Sequence, residues 1–316
     1  MGKMKAIVAE PQSEAHLVLS DVDQPVPGPS QALVRVAAFS LNRGEVRSAF
    51  AAKERYVPGW DLAGTVEKPA ADGSGPAAGT RVVGFLRSGA WAEIAAVSTD
   101  FLAELPPEVT FSQAATLPVA GLTALYVIQK GGSLLARKVL VTGASGGVGM
   151  FIVELAAFSG AKVVGLIHQA ANKSLVQEAG AWQVVIGDDA SGAASFGPYQ
   201  FIADAVGGPV LASAFSLLAP HGLCVNYGAV ITPEVTFNSP VFFRIPGARY
   251  SGFLLFNELV EETAAAGLKR LLGLVAEGHL HPHIAVEASW NQVSEISHRL
   301  IGRDFPGKAV LLVNGR

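Results

Sequence analysis

Two kinds of hydrophobic patterning divide this chain. Up to about residue 115 the apolar positions come in short runs: Lys5 to Ala9, Ala32 to Phe39, Gly64 to Glu67, Arg81 to Phe85 and Trp91 to Val97. Turn-forming stretches such as Pro25-Val26-Pro27-Gly28-Pro29 and 70–79 separate them. Short strands with that punctuation predict an antiparallel, barrel-like β domain. From Phe111 the period changes. Ser112 to Leu117 and Gly121 to Lys130 read as helices. Strands at 138–142, 162–167, 183–186, 201–205 and 223–227 then alternate with helices at 148–158, 172–179 and 210–218. That alternation predicts parallel strands joined by right-handed crossovers. Tyr250 to Phe256 reads as a further strand, and 258–277 as a helix with Leu259, Leu268, Leu271, Leu272 and Val275 on one face. The tail returns to the first style, with strands at 283–287 and 309–313 around a helix at 293–301. The predicted class is therefore α/β plus β. Residues 1–118 and 263–316 form the β domain, and 119–262 an inserted doubly wound parallel sheet.

The strand Lys138 to Thr142 runs into Gly143-Ala144-Ser145-Gly146-Gly147-Val148-Gly149 and then a long apolar helix. Such a loop lets backbone approach a ligand with no Cβ in the way, and the helix start offers free N–H groups to a pyrophosphate. The competing reading is a plain strand–turn–helix. The strand that follows, 162–167, favours a dinucleotide site with Ser145, Gly146, Gly147 and Val148 as its contacts.

Composition narrows the function classes. The chain has 316 residues, half of them hydrophobic, with 35 glycines, which suits two domains rich in tight connections. A net charge of −3 with no basic tract argues against a nucleic-acid partner. With no uninterrupted apolar span of about 18 residues and no apolar signal segment at the N-terminus, the expectation is a cytoplasmic protein that does not enter a membrane. The single cysteine, Cys224, lies in an apolar run and reads as a buried structural thiol.

Several segments, in order and spacing, resemble the zinc-independent quinone oxidoreductase branch of the medium-chain dehydrogenase/reductase superfamily. They are Leu41-Asn42-Arg43-Gly44-Glu45, Pro58-Gly59-Trp60-Asp61-Leu62-Ala63-Gly64, Gly79 to Gly84, Pro118 to Ala124, the glycine loop, Glu178 to Ala181 and Gly307-Lys308-Ala309-Val310-Leu311. The resemblance implies a GroES-like antiparallel β-barrel domain with an inserted Rossmann domain, and a homodimer or homotetramer pairing through the strand at Tyr250 to Phe256. It also implies that zinc-using relatives carry Cys, His and Cys where this chain has Asn42, Trp60 and Val119. None of these three is a normal zinc ligand, so no metal is expected. His279, His281 and His283 read as an exposed turn before any metal face.

Without a Lewis acid, reduction of a conjugated acceptor is favoured over alcohol oxidation. An acid that would take a ribose 2′-hydroxyl is expected about 20 residues past the loop. Here the second strand ends at Ile167-His168-Gln169 with no acid before Glu178, which favours NADPH. By resemblance, Lys173 stands where the family places a lysine that reaches the 2′-phosphate, with His168 as a second candidate, against solvated surface roles for both. By resemblance, Asn42 and Thr123 lie around the nicotinamide, while Gly228 and the backbone of Phe253 and Leu254 line its far side. As alternatives, Asn42 forms a turn and Thr123 caps a helix. Tyr56 is a candidate proton donor or lid, with an ordinary loop aromatic as its competitor. Asp61 reads as structural. Substrate-lining loops are expected at 42–57, 86–91 and 237–245. The small-molecule substrate is a quinone or an α,β-unsaturated carbonyl. An enoyl-thioester reductase of polyketide type, and a non-catalytic NADPH-binding structural or regulatory protein, are the alternatives. The pair Tyr126 and Lys130 has the spacing used by short-chain dehydrogenases but precedes the loop, which argues against that family.

Overall fold

The change of period near residue 115 is a change of architecture. In the computed structural model, which describes residues 2–260 and 262–313, the chain forms two compact units: Met1–Leu122 with Leu259–Arg316, and Thr123–Glu258. The first stretch contributes β1 (Lys3–Ala9), β2 (Leu17–Asp23), β3 (Gln31–Ser40), β4 (Asp61–Lys68), β5 (Arg81–Phe85), β6 (Ile94–Ser98) and β7 (Leu102–Glu104), with helices α1 (Arg43–Phe50) and α2 (Phe111–Ala115). A turn of π-helix, Leu117–Gly121, leads into α3 (Leu122–Lys130). The inserted unit then runs β8 (Lys138–Thr142), α4 (Gly147–Phe158), β9 (Lys162–Ile167), α5 (Lys173–Glu178), β10 (Gln183–Ile186), β11 (Tyr199–Asp204), α6 (Gly208–Phe215), β12 (Leu218–Asn226), α7 (Pro240–Arg244), β13 (Arg249–Gly252) and α8 (Leu255–Glu258). The return adds α9 (Ala264–Ala276), β14 (Ile284–Ser289), α10 (Val293–Gly302) and β15 (Lys308–Leu312).

In the first unit β1 and β2 pair antiparallel, and a larger sheet runs β14-β15-β3-β4-β5-β7 with β6 also on β3. Its pairs are antiparallel except β14 with β15, which run parallel, a departure from the all-antiparallel expectation. Alternation along β3 buries Ala32, Val34, Val36 and Ala38 against a core that includes Phe39, Leu62 and Trp91. The Phe39 and Trp91 rings stack with centroids 5.6 Å apart.

The inserted unit has one six-stranded sheet, β10-β9-β8-β11-β12-β13, parallel throughout. Its central strands β8, β9 and β11 are buried on both faces nearly throughout, as the inner strands of a parallel sheet are. Tyr199, Phe201 and Phe215 are fully buried there, and the Tyr199 hydroxyl donates to the Ala193 carbonyl at 2.7 Å. Gly165 in β9 admits its neighbours closely: a Cβ there would meet Val176 at 2.8 Å and Ala144 at 3.1 Å. Cys224 is buried in β12, as its apolar run predicts.

Four local expectations need correction. The strand expected over Tyr250 to Phe256 is β13, which ends at Gly252, and α8 begins at Leu255. The helix expected over 258–277 starts only at Ala264, where Thr263 caps it by accepting from Ala266 N at 3.3 Å. The loops expected at 42–57 and 237–245 contain α1 and α7. The strand β2 had no counterpart in the sequence reading. Only Leu17 of it is buried, so its apolar alternation is half masked by polar residues.

Candidate functional site

The glycine loop sits where the parallel sheet reverses its strand order, between the carboxyl ends of β8 and β11. Ligands of open α/β sheets bind at that point. Gly143 turns the chain with φ +62, and Gly146 N donates to its carbonyl at 2.9 Å. A Cβ on Gly149 would lie 2.3 Å from the Gly143 oxygen, so the helix can pack onto the turn only through glycine. α4 has Gly146 as its N-cap, with no side-chain cap. The first N–H groups of such a helix have no intrahelical acceptor, and they face outward with the positive end of the helix dipole. Ser145 and Val148 are half-buried around exposed Gly146. This cradle fits a pyrophosphate.

Behind the loop stands a buried acid. Asp204, at the end of β11, accepts from Thr142 Oγ1 at 2.6 Å, from Gly207 N at 2.9 Å and from Asn226 Nδ2 at 2.7 Å. It ties together the ends of β8, β11 and β12. Burial raises its pKa above the ordinary carboxylate value, and these donors oppose the rise. Gly228 follows β12, where a Cβ would come within 2.7 Å of the Ala205 oxygen. The backbone N–H of Phe253 is already committed to the Asn226 carbonyl at 2.9 Å, while Leu254 is exposed.

At the end of β9, His168 Nδ1 lies 2.6 Å from Asp188 Oδ1, and both side chains are exposed. Lys173 is exposed at the start of α5. Asp188 is an acid that a search along the segment after the loop misses. The pairing of Ile186 with Ile167 brings the residues after β10 beside those after β9.

The first unit holds a second polar centre, built around Asn42. This residue caps α1 in extended conformation. Its Nδ2 donates to Glu45 Oε1 at 2.9 Å and to Asp61 Oδ2 at 2.7 Å, and its Oδ1 accepts from Lys308 Nζ at 2.6 Å. Glu45 also accepts from Asn42 N at 2.7 Å and from Trp60 N at 2.6 Å. Asp61 accepts from Ser40 Oγ at 2.5 Å and, through its other oxygen, from Val119 N in the π-turn at 2.9 Å. Lys308 donates to the Leu41 carbonyl at 2.9 Å and lies 3.5 Å from Asp61. Glu45, Asp61 and Lys308 are all buried.

Two carboxyl groups and one ammonium share this site. Burial, and next the charge of Asp61, push the Glu45 carboxyl up to about 8, with Lys308 and the Asn42 donors pulling the other way. Burial lowers the Lys308 ammonium, while Asp61 and Glu45 hold it up. With Glu45 protonated, Asp61 and Lys308 balance, which avoids an excess buried charge. Tyr56 is half-buried, and burial followed by the Glu45 charge raises its phenol. Thr123 is buried inside α3, one residue past its start, so it is not the cap of that helix.

Three residues that the resemblance matches to zinc ligands serve other roles in this structure. Asn42 is held in the cluster, Val119 offers a backbone N–H, and the Trp60 ring packs where a Cβ on Gly44 would meet it at 2.8 Å. Among the described residues no group of three or more His, Cys, Asp or Glu side chains could hold a metal ion. No helix among them is long and apolar enough to cross a membrane.

A GroES-like β unit interrupted by a parallel Rossmann unit is the architecture of the medium-chain dehydrogenases/reductases. The alcohol dehydrogenase GroES-like domain family matches residues 28–107, and the zinc-binding dehydrogenase family matches 147–271. The chloroplastic quinone-oxidoreductase QR1 of Triphysaria versicolor is 31% identical over 252 residues, 73% of this chain and 75% of that protein. The spectinabilin polyketide synthase system protein NorB of Streptomyces orinoci is 30% identical over 260 residues, 80% of this chain but 12% of that much longer protein. A mycobacterial structure complexed with NADPH superposes with a TM-score of 0.87 at 23% identity, covering 98% of this chain and 99% of that one. The chain belongs to the medium-chain dehydrogenase/reductase superfamily, in its zinc-independent quinone oxidoreductase branch. It is an oxidoreductase of that family.

Proposed function

We propose that the protein is an NADPH-dependent, metal-free reductase of quinones or α,β-unsaturated carbonyls. One observation carries the reading: of the three positions that the resemblance matches to zinc ligands, the Asn42 side chain is held in a hydrogen-bonded cluster with Glu45, Asp61 and Lys308, and Trp60 and Val119 reach that cluster only through backbone N–H groups. A site without a Lewis acid cannot hold an alkoxide well, but it suits an acceptor whose carbonyl already withdraws electrons.

NADPH, when bound, supplies the reducing equivalents. The N–H groups at Gly147 and Val148, with Ser145 and Gly146, hold the pyrophosphate. Lys173 and His168 receive the 2′-phosphate. Asp188 is the observation that favours a second cofactor reading, NADH, because its carboxylate opposes that phosphate. Asn42 and Thr123 orient the nicotinamide half, Gly228 and the Phe253 and Leu254 backbone flank it, and Tyr56 covers the acceptor. The polyketide relative keeps an enoyl thioester open as acceptor. The exposed strand β13, at an edge of the sheet, is the surface proposed for a homodimer.

A steady-state panel tests this. NADPH and NADH oxidation are followed with an ortho-quinone, a para-quinone, a 2-alkenal and an enoyl thioester, each with and without chelator. Turnover of one of these acceptors with NADPH, unchanged by chelator, is expected. Stoichiometric NADPH binding without any turnover would instead favour the non-catalytic alternative. Chelator-sensitive alcohol oxidation would sink the proposal outright.

A further inference from the structure

The last turn of a helix leaves carbonyl groups without an intrahelical donor. In α10 two of them are met from another element. Arg43 Nη1 donates to the Leu300 carbonyl at 3.2 Å, and Nη2 donates to the Ile301 carbonyl at 3.1 Å. This fork fixes the half-buried Arg43 side chain, whose Nε is buried with no hydrogen-bond partner. One arginine suffices for such a cap.

Two more arginines gather at the same place. Arg47 lies four residues along α1, on the face that carries Arg43. Arg303 follows α10 in left-handed conformation, with φ +65. Both are exposed. Burial first, and then the charges of Arg47 and Arg303, lower the Arg43 guanidinium to about 10. The acids of these two helices do little to balance the cluster. Glu45 is buried and accepts from Asn42 N and Trp60 N, and Glu295 lies 3.8 Å from Arg299. Asp304, exposed next to Arg303, is the acid that remains there. The guanidinium of Arg47 forms no hydrogen bond or ion pair among the described residues. Like charges gathered in this way cost the fold stability, and a bound anion offsets that cost.

We propose that Arg43, Arg47 and Arg303 form a phosphate-binding site, and that the phosphate is the one carried on the pantetheine arm of an acyl-thioester acceptor. A guanidinium offers two parallel donors to a phosphoryl group, and its charge is permanent. A quinone or a free enone has no anion to place there. The phosphates of the dinucleotide are proposed to lie at the glycine loop and Lys173, so they need no second site. Arg43 directly follows Asn42, a residue of the proposed reductase site. Arg47 lies about 7.5 Å along the helix from Asn42, which is shorter than an extended pantetheine chain. This inference rests on the enoyl-thioester form of the reductase reading.

The test is calorimetric binding to the full-length protein of 4′-phosphopantetheine and of pantetheine, which differ by the phosphate alone. Wild type is expected to bind the phosphorylated arm at least about tenfold more tightly. The double variant Arg47→Ala, Arg303→Ala is expected to bring that ratio to within about twofold and leave pantetheine affinity unchanged. Arg47→Lys keeps the charge and is expected to keep most of the preference. Arg43 stays in place because it caps α10. Coenzyme A separates the two sources of the arm. Binding at least as tight as that of 4′-phosphopantetheine supports a free coenzyme thioester, and clearly weaker binding supports an arm tethered to a carrier protein.

Equal affinity of wild type for the two arms would overturn the proposal. So would equal loss of both in the double variant, which marks a structural role only. Failure of the reductase reading looks different: the phosphate preference stays, and no crotonyl thioester is reduced with NADPH.

Discussion

At the residue scale the decisive features are charges whose partners lie far away in sequence. Lys173→Glu puts an acid where the 2′-phosphate is proposed to sit. It should weaken NADPH at least about tenfold more than NADH in direct titration. Equal loss for both would return Lys173 to a solvated role. Asp188→Asn removes the opposing carboxylate and should shift the ratio the other way. Glu45 supplies a pH prediction. A free glutamate ionises near pH 4.5 and this buried one at about 8, so between those values the unfolded chain has shed a proton that the folded chain keeps. Stability from this group is therefore full below about pH 4.5 and is lost as pH rises to about 8, at roughly 1.4 kcal/mol per unit of the shift at most. Melting temperatures of wild type should fall across that window more steeply than those of Glu45→Gln. A flat difference between the two would remove the protonated Glu45 from the account.

At the element scale the glycine loop is a packing device as well as the proposed ligand site. Gly149→Val drives a branched side chain into the Gly143 carbonyl, which a Cβ alone would approach to 2.3 Å. The expected cost is on the order of 1–3 kcal/mol, the range for overpacked sites, with loss of dinucleotide binding. Melting and NADPH titration read the two effects separately. This loop was legible in the sequence because its signal is local: β-branched strand, glycines, apolar helix. The polar cluster was not. Asn42 and Glu45 have the spacing of a helix capping box, yet nothing in the sequence shows that Asp61 and Lys308 meet them. Lys308 lies 266 residues from Asn42. The contact of Asp188 with His168 was hidden for a similar reason, since only the register of β10 on β9 brings the two together. Short elements with one buried residue, such as β2, left too little apolar contrast to read.

At the scale of the whole molecule, two architectures share one chain. The inserted parallel sheet offers main-chain N–H groups at its switch point, and the β unit offers a rigid buried cluster. Each was visible as a style of patterning, because a buried parallel strand and a half-buried antiparallel strand demand different apolar spacing. The reaction is proposed to need only these groups, so chelation should leave it intact.

The most direct measurement of the central claim is NADPH oxidation by the purified, chelator-treated protein with an ortho-quinone and a 2-alkenal, with reduced product quantified alongside. The account predicts one reduced product per NADPH consumed with at least one of these acceptors, at a rate that added zinc does not raise. No product with either acceptor, or product only after zinc is restored, would contradict it.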